Sequence, residues 1–269
     1  MIKKVGWDKK LAKEWGKYKP PSRPSSGEIR IYESYIRELP RKSKILIMGS
    51  TPELRDLTAK YKIDTTICDW SEDVYRALKL LVKHKAKETF IRGDWREMNF
   101  GEKFDMIIGD CSTTVVPYKD LDTVISNVSR NLVPNGLAIQ RIWVRHKKEK
   151  YSVSKIVKIF KKKPKNMHWY TWMLFTVFLH YYDTKNESLS GADIYEKMNK
   201  DYKKGRLPKR LLELFSLVKN HKTPNNVLLK RDLEKMLKMY FRIIKIEYGN
   251  DNFRKYAPIY VLENSRQIS

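Results

Sequence analysis

The sequence predicts an α/β protein built on a doubly wound, mostly parallel sheet, and three observations carry that expectation. Short apolar runs of strand length, at Lys44–Met48, Thr89–Ile91, Lys103–Asp110 and Leu137–Trp143, alternate with segments of helical periodicity. These runs are apolar at successive positions, as strands covered by helices on both faces must be. Acids follow three strands closely, Asp69, Asp94 and Asp110, at the carboxyl ends where open α/β sheets bind their ligands. Finally, the strand patterns Tyr240–Tyr248 and Tyr256–Leu262 are separated only by GNDNFRK. That is too short for a parallel crossover, so the sheet should finish in an antiparallel hairpin.

Bulk properties bound the rest. A chain of 269 residues, 41% hydrophobic and 12% aromatic, can bury a sizeable core and is not disordered throughout. We expect three regions: a helical cover over 1–40, a sheet domain from 41–145 joined by 239–269, and a basic, aromatic-rich helical insertion over 146–238. Lys9–Tyr18 is a short helix pattern, KPPSRPSSGE a connecting strap, and Ser26–Leu39 an amphipathic helix. The charged start lacks a following apolar region, so a cytoplasmic protein without a signal peptide is expected. The longest apolar run, Trp169–Leu179, is too short to span a bilayer. With only Cys68 and Cys111, neither a disulfide framework nor a thiol zinc site is expected.

The first unit, Lys44–Asp69, reads as strand, turn, helix and strand. Gly49 ends the strand, Ser50–Glu53 fits an S-x-x-E capping box, and Pro52 suits the first helical turn. The free N–H groups of that helix favour a carboxylate or phosphate, and Asp69 can accept two hydrogen bonds from a ribose diol. A dinucleotide pyrophosphate needs G-x-G-x-x-G, whereas only Gly49 is present. At Gly49, Ser50, Thr51, Pro52 and Glu53 the chain resembles the class I S-adenosylmethionine-dependent methyltransferases, in the version whose first motif runs G-S/T/V-T-P-E. The resemblance implies a Rossmann-like seven-stranded sheet with an antiparallel last strand, and S-adenosyl-L-methionine as cofactor. It also implies that Asp94 accepts from the adenine amino group, that the N–H of Trp95 donates to the ring, and that Asp110 faces the methyl group. Trp70 is expected against the adenine or ribose.

Further along, Ser71 should cap a helix over Glu72–Lys85, and a helix Leu121–Leu132 leads through the turn Pro134-Asn135-Gly136 to the Leu137–Trp143 strand. The run of helix, L-x-P-x-G and apolar strand is also typical of the resembling family. In the insertion, Val153–Phe160, Met167–Tyr182, Leu211–Lys219 and Leu228–Met239 read as helices. Segments beyond strand carboxyl ends commonly cover substrates. The stripe Trp169, Tyr170, Trp172, Phe175, Phe178, Tyr181 and Tyr182 is either a pocket wall or the core of a helical subdomain. For proton transfer we nominate Asp110, Tyr118 and His180, with His168 as a further possibility. The thiol of Cys111 is set aside as a nucleophile because no Pro-Cys motif precedes it.

Two partners are compatible with this reading. The preferred one is a small-molecule methyl acceptor held between the strand ends and the insertion. The alternative is an RNA-directed methyltransferase, or a nucleic-acid-binding protein that retained the fold, using the basic insertion, because residues 147–238 hold 23 basic against nine acidic groups. Arg145, Lys147, Lys148, Lys150, Lys158, Lys161, Lys162, Lys163 and Lys165 alternate there with Tyr151 and Phe160, a pattern that can contact phosphates and stack on bases.

Overall fold

The computed structural model describes residues 15–18, 20–84, 87–146, 151–161, 169–182 and 188–265. After a short 3-10 turn at Trp15–Lys17, a strap leads into helix α1 (Ser26–Arg37). The chain then alternates through β1 (Lys44–Met48), α2 (Pro52–Lys60), β2 (Asp64–Asp69), α3 (Glu72–Lys79) and β3 (Glu88–Arg92). It continues through β4 (Phe104–Asp110), α4 (Tyr118–Arg130) and β5 (Leu132–Arg141). After β6 (Val144–Arg145), the segment before the final hairpin contains α5 (Val153–Lys161), α6 (Trp169–Tyr181), β7 (Leu189–Ser190), α7 (Gly191–Lys203), α8 (Lys209–Leu214), β8 (Pro224–Asn225), β9 (Leu228–Leu229) and α9 (Lys230–Leu237). The hairpin β10 (Phe241–Glu247) and β11 (Ile259–Asn264) follows.

Seven strands form one sheet in the order β10-β11-β5-β4-β1-β2-β3. β1 lies parallel to β2 and β4, β2 to β3, and β4 to β5, whereas β11 runs antiparallel to both β5 and β10. This is the doubly wound, Rossmann-like sheet with an antiparallel final strand that the sequence predicts. Ile45, Leu46, Ile47 and Met48 of β1 are all fully buried, and pleating sends them to two cores. Leu46 and Met48 pack with Ile107, Val124 and Tyr260, while Ile45 and Ile47 pack with Tyr32, Leu54 and Ile108. Each such side chain contributes about 1.5–3 kcal/mol, which is why the run tolerates no polar position. The insertion has a third core, built from Ile156, Met173, Phe178, Ile194, Leu211, Phe215 and Val227 among others.

Several local expectations are corrected. Ser50 and Glu53 do not form a capping box: Thr51 stands at the N-cap of α2 and makes no side-chain cap bond, because both other side chains are drawn to partners outside the helix. The reciprocal box lies instead at Ser25 and Glu28, at the start of α1. Pro134-Asn135-Gly136 interrupts β5 without ending it. Asn135 takes a left-handed φ of 60° and the pairing with β4 slips between Phe104 and Met106. α3 ends at Lys79, not Lys85. Leu228 and Leu229 pair as a strand with Val144 and Arg145 before α9 begins. Helix α7 escaped prediction because Ile194 and Met198 are its only buried large apolar side chains; its start is set by a Ser190–Asp193 capping box. The Lys9–Tyr18 pattern falls mostly outside the described residues, and Trp15–Lys17 forms a 3-10 turn. Among the described residues, no helix is long and apolar enough to cross a membrane.

Candidate cofactor and substrate site

The site is built where β1, β2, β4 and β5 end. Gly49 leaves β1 with φ of +92°, a conformation that glycine adopts without a Cβ penalty. Its N–H and the Trp95 indole N–H both donate to the Cys68 carbonyl, at 2.8 and 3.0 Å. The Trp95 ring lies under the turn: an added Cβ at Gly49 would meet its carbons at 3.8 Å. Ser50 is buried, and its hydroxyl donates to Asp69 Oδ2 at 2.5 Å across the turn. Asp69 Oδ1 accepts from the Ser71 N–H at 3.1 Å. Burial pushes the Asp69 carboxyl above the usual range, against the hydrogen bonds from Ser50 and Ser71. Gly49, Ser50, Asp69 and the Trp95 ring are therefore brought together at one turn. Trp70 is half-buried, with an indole N–H that has no partner among the described residues.

Asp94 caps the short turn that follows β3 and is gripped by Arg96, whose N–H and Nε reach Oδ1 at 2.9 Å. Arg96 also reaches Asp120 at 3.1 Å. Against the cost of its burial, Arg96 holds the Asp94 carboxyl below the usual range. An adenine amino group would have to share this carboxylate with a guanidinium.

Asp110 closes β4 directly opposite Arg141 of β5. The Arg141 side chain is fully buried. Its Nε pairs with Asp110, its Nη1 lies 3.1 Å from Glu28 Oε1, and its Nη2 donates to the Pro21 carbonyl at 2.9 Å. The buried Tyr32 hydroxyl completes the group, donating to the Gly109 carbonyl at 2.8 Å and accepting from the Arg141 N–H at 3.1 Å. Burial pushes the Asp110 carboxyl up to about 6; Glu28 and Glu53 add to the rise and Arg141 opposes it. Burial also drives the Cys111 thiol well up, leaving it protonated at neutral pH. Glu53, in the first turn of α2, pairs with Arg23 and accepts from the Trp15 indole N–H at 3.1 Å.

The nominated proton-transfer residues occupy three separate elements. Asp110 is committed to Arg141, Tyr118 is 39% exposed at the first position of α4, and His180 sits in the last turn of α6, edge-on to Tyr181 at 4.4 Å. His168 lies outside the described residues. Of the aromatic stripe, Phe175 and Phe178 stand edge-on to Trp143 at 5.6 and 6.4 Å, just past the end of β5. Phe175 also meets Phe253 and Tyr256 from the final hairpin. Asn226 seals the insertion to the loop after β4, donating to the Thr113 and Val116 carbonyls at 2.9 and 2.6 Å. Of the expected basic cluster, Arg145 is turned inward, buried, and bonded to the Val227 carbonyl at 2.9 Å. Lys147, Lys148, Lys150, Lys162, Lys163 and Lys165 lie outside the described residues.

Sequence reading missed Arg141, Glu28 and Tyr32. The signal for Glu28 was the Ser25-x-x-Glu28 spacing, and for Arg141 the polar pair Gln140-Arg141 inside an apolar strand.

No protein-family model matches the sequence, and no curated protein does. Solved structures do. A Rhodobacter sphaeroides protein described as a zinc-dependent alcohol dehydrogenase superposes with a TM-score of 0.63 at 14% identity, over 94% of each chain. The CcbJ methyltransferase of Streptomyces caelestis gives 0.58 at 8% identity, over 95% of this chain and 96% of that one. The Burkholderia thailandensis 1,6-didemethyltoxoflavin-N1-methyltransferase, solved with its acceptor and S-adenosylhomocysteine, gives 0.51 at 9% identity, over 88% and 78%. At these identities the likeness establishes a shared fold. The chain has the fold seen in S-adenosylmethionine-dependent methyltransferases.

Proposed function

We propose that this protein is an S-adenosylmethionine-dependent methyltransferase acting on a small molecule. The observation that carries the reading is the turn at Gly49, with the Asp69 carboxylate held across it by Ser50. One glycine at φ of +92° admits a thioether nucleoside without the close backbone approach that a pyrophosphate demands. The methyltransferases that share the fold, one of them holding 1,6-didemethyltoxoflavin, support the same reading. In this reading Asp69 binds the ribose diol, Trp70 and Trp95 border the base, Asp94 takes its amino group, and Glu53 and Asp110 face the methionine end.

The cofactor would supply a methyl group already activated by its sulfonium charge, so the chain's own task is mainly positioning. Arg141 holds Asp110 in place, and Trp143 with Phe175 offers an apolar wall that excludes water. An acceptor that is protonated at neutral pH needs a base as well, and Tyr118 and His180 remain the nominees. Calorimetric titration tests the assignment. Wild type should bind S-adenosylhomocysteine, and Asp69→Ala should weaken it by about 1.5–3 kcal/mol for each charged hydrogen bond lost. Binding of NAD with indifference to S-adenosylhomocysteine would overturn it.

A further inference from the structure

The turn between α7 and α8 carries cations that folding does not require. Lys200, Lys203, Lys204, Arg206, Lys209 and Arg210 are all exposed, and the single acid among residues 200–210, Asp201, is buried. Asp201 is committed to Arg206 and to the Tyr181 hydroxyl. Lys200 and Lys209 have partners one helical turn away in Glu196 and Glu213, whereas Lys203, Lys204 and Arg210 form no ion pair among the described residues. Lys203 and Lys204 follow Lys200 at i+3 and i+4, and like charges at that spacing destabilise a helix. The dipole of α7 offsets the repulsion at its C-terminal end, but Lys209 and Arg210 open α8, where a dipole disfavours cations and no acid stands in the first turn. A surface that breaks local rules without gaining stability points to binding.

The backbone of this turn is fixed. The N–H groups of Lys204, Gly205 and Arg206 donate to the Lys200, Tyr202 and Asp201 carbonyls at 3.3, 2.8 and 2.9 Å, and Leu207 is sunk in the third core. Its outer side is open, since a Cβ added at Gly205 would meet nothing within 4 Å. Tyr202, 36% exposed, is the large hydrophobic side chain that the turn leaves in solvent. We propose that this turn docks the phosphate backbone of single-stranded RNA, with Tyr202 offered to an unstacked base. Successive cations on the α7 face lie about 5–6 Å apart, a spacing that suits successive phosphates of one strand, and the fixed backbone limits the ordering that binding requires. A protein partner fits less well, because four of the six cations are lysines, which protein interfaces avoid. An anionic membrane favours several apolar side chains beside the cations, and here Tyr202 stands alone. These residues lie outside the 145–165 cluster that the sequence singles out, and the proposal does not depend on the cofactor reading.

Fluorescence anisotropy of a labelled oligouridylate, titrated with the full chain between about 50 and 200 mM salt, tests the proposal. The combined variant Lys203→Ala, Lys204→Ala, Arg210→Ala should raise Kd at least about tenfold at the lower salt. It should also reduce the log–log salt slope by about two, since each phosphate contacted on a single strand contributes about 0.7. An equal loss of charge elsewhere, Arg37→Ala, Arg41→Ala, Lys42→Ala, should change Kd by less than about threefold. All of these side chains are exposed, so both variants should keep the wild-type urea midpoint; the pair Lys203→Ala, Arg210→Ala serves if the first variant unfolds. Tyr202→Ser should weaken binding about fivefold without altering the slope. Four results overturn the proposal: equal effects of the two charge-removing variants, wild-type affinity in Tyr202→Ser, no binding by wild type at about 50 mM salt, or tighter binding of polyglutamate or phosphatidylserine vesicles through the same side chains.

Discussion

Arg141 stands opposite Asp110 across the β4–β5 pairing, and its buried guanidinium joins that carboxylate to Glu28 of α1. One side chain thus ties the end of the sheet to the helix that follows the strap. Arg141→Met should destabilise the protein by about 3–5 kcal/mol, because two carboxylates are left buried without their cation. A lowered urea midpoint with an unchanged slope would report it.

The pH response of Asp110 has a defined sign. Burial pushes its folded carboxyl up to about 6, above the usual aspartate range, so the folded state holds the proton more tightly than the unfolded chain. Its contribution to stability is fully present below about pH 4 and is lost as pH rises through about 6. Between those limits, wild type should lose up to about 1.4 kcal/mol per pH unit relative to Asp110→Asn, with no further change above. Chemical denaturation of both proteins from pH 4 to 8 measures the difference, and parallel curves would contradict it.

Gly109 precedes Asp110 in β4 where there is no room for a side chain. A Cβ there would lie 2.4 Å from Gln140 Oε1 and 2.8 Å from Ser112 Oγ. Both neighbours are buried and Ser112 is bonded to the Met48 carbonyl at 2.6 Å. Gly109→Ala should therefore cost about 1–3 kcal/mol through forced displacement. Thermal unfolding would show it, and a wild-type Tm would show that the loop yields freely.

Asn226 is the bolt between the insertion and the loop after β4. Asn226→Leu preserves bulk but strands the Val116 carbonyl and leaves the Thr113 carbonyl only the Val116 N–H at 3.4 Å, at a cost of about 1–3 kcal/mol for the stranded group if water cannot reach it. Hydrogen exchange should speed up at residues 113–116 and in β9, while β1 and β2 stay protected.

Burial raises the Asp69 carboxyl, so protonation should begin to remove its acceptor capacity at a higher pH than for a free aspartate. Affinity for S-adenosylhomocysteine should fall as the solution is acidified towards pH 4, and the fall should vanish in Asp69→Asn. Calorimetry across that range reads the effect; a decline that persists in the variant would assign it to another group.

Much of this architecture was legible because buried parallel strands announce themselves. The run Lys44–Met48 has no polar interior position, and its partner strand ends in an acid exactly where the first turn needs one. The antiparallel ending was readable from the length of one connection. What escaped was long-range pairing. Nothing local in the sequence tells Arg141 that Glu28, on the far side of the sheet domain's sequence, will be its partner, since no periodicity links them. The Ser50–Glu53 spacing misled for a related reason: the rule for a helix cap is local, whereas Asp69 and Arg23 compete for the same side chains from a distance. Helix α7 was hidden by charge, because only Ile194 and Met198 mark its buried apolar face and its cap uses a Ser–Asp pair.

The place of β11 in the sheet sets an order of events during synthesis. It lies between β5 and β10 and pairs with both, yet it follows the whole helical insertion in the sequence. While a ribosome is still translating the insertion, β5 has an open edge with apolar Ala138 and Ile139 unshielded on one side, an invitation to foreign strands. That edge stays open until β11 is made, so a premature stop between residues 142 and 258 should yield an aggregating fragment and not a smaller working protein.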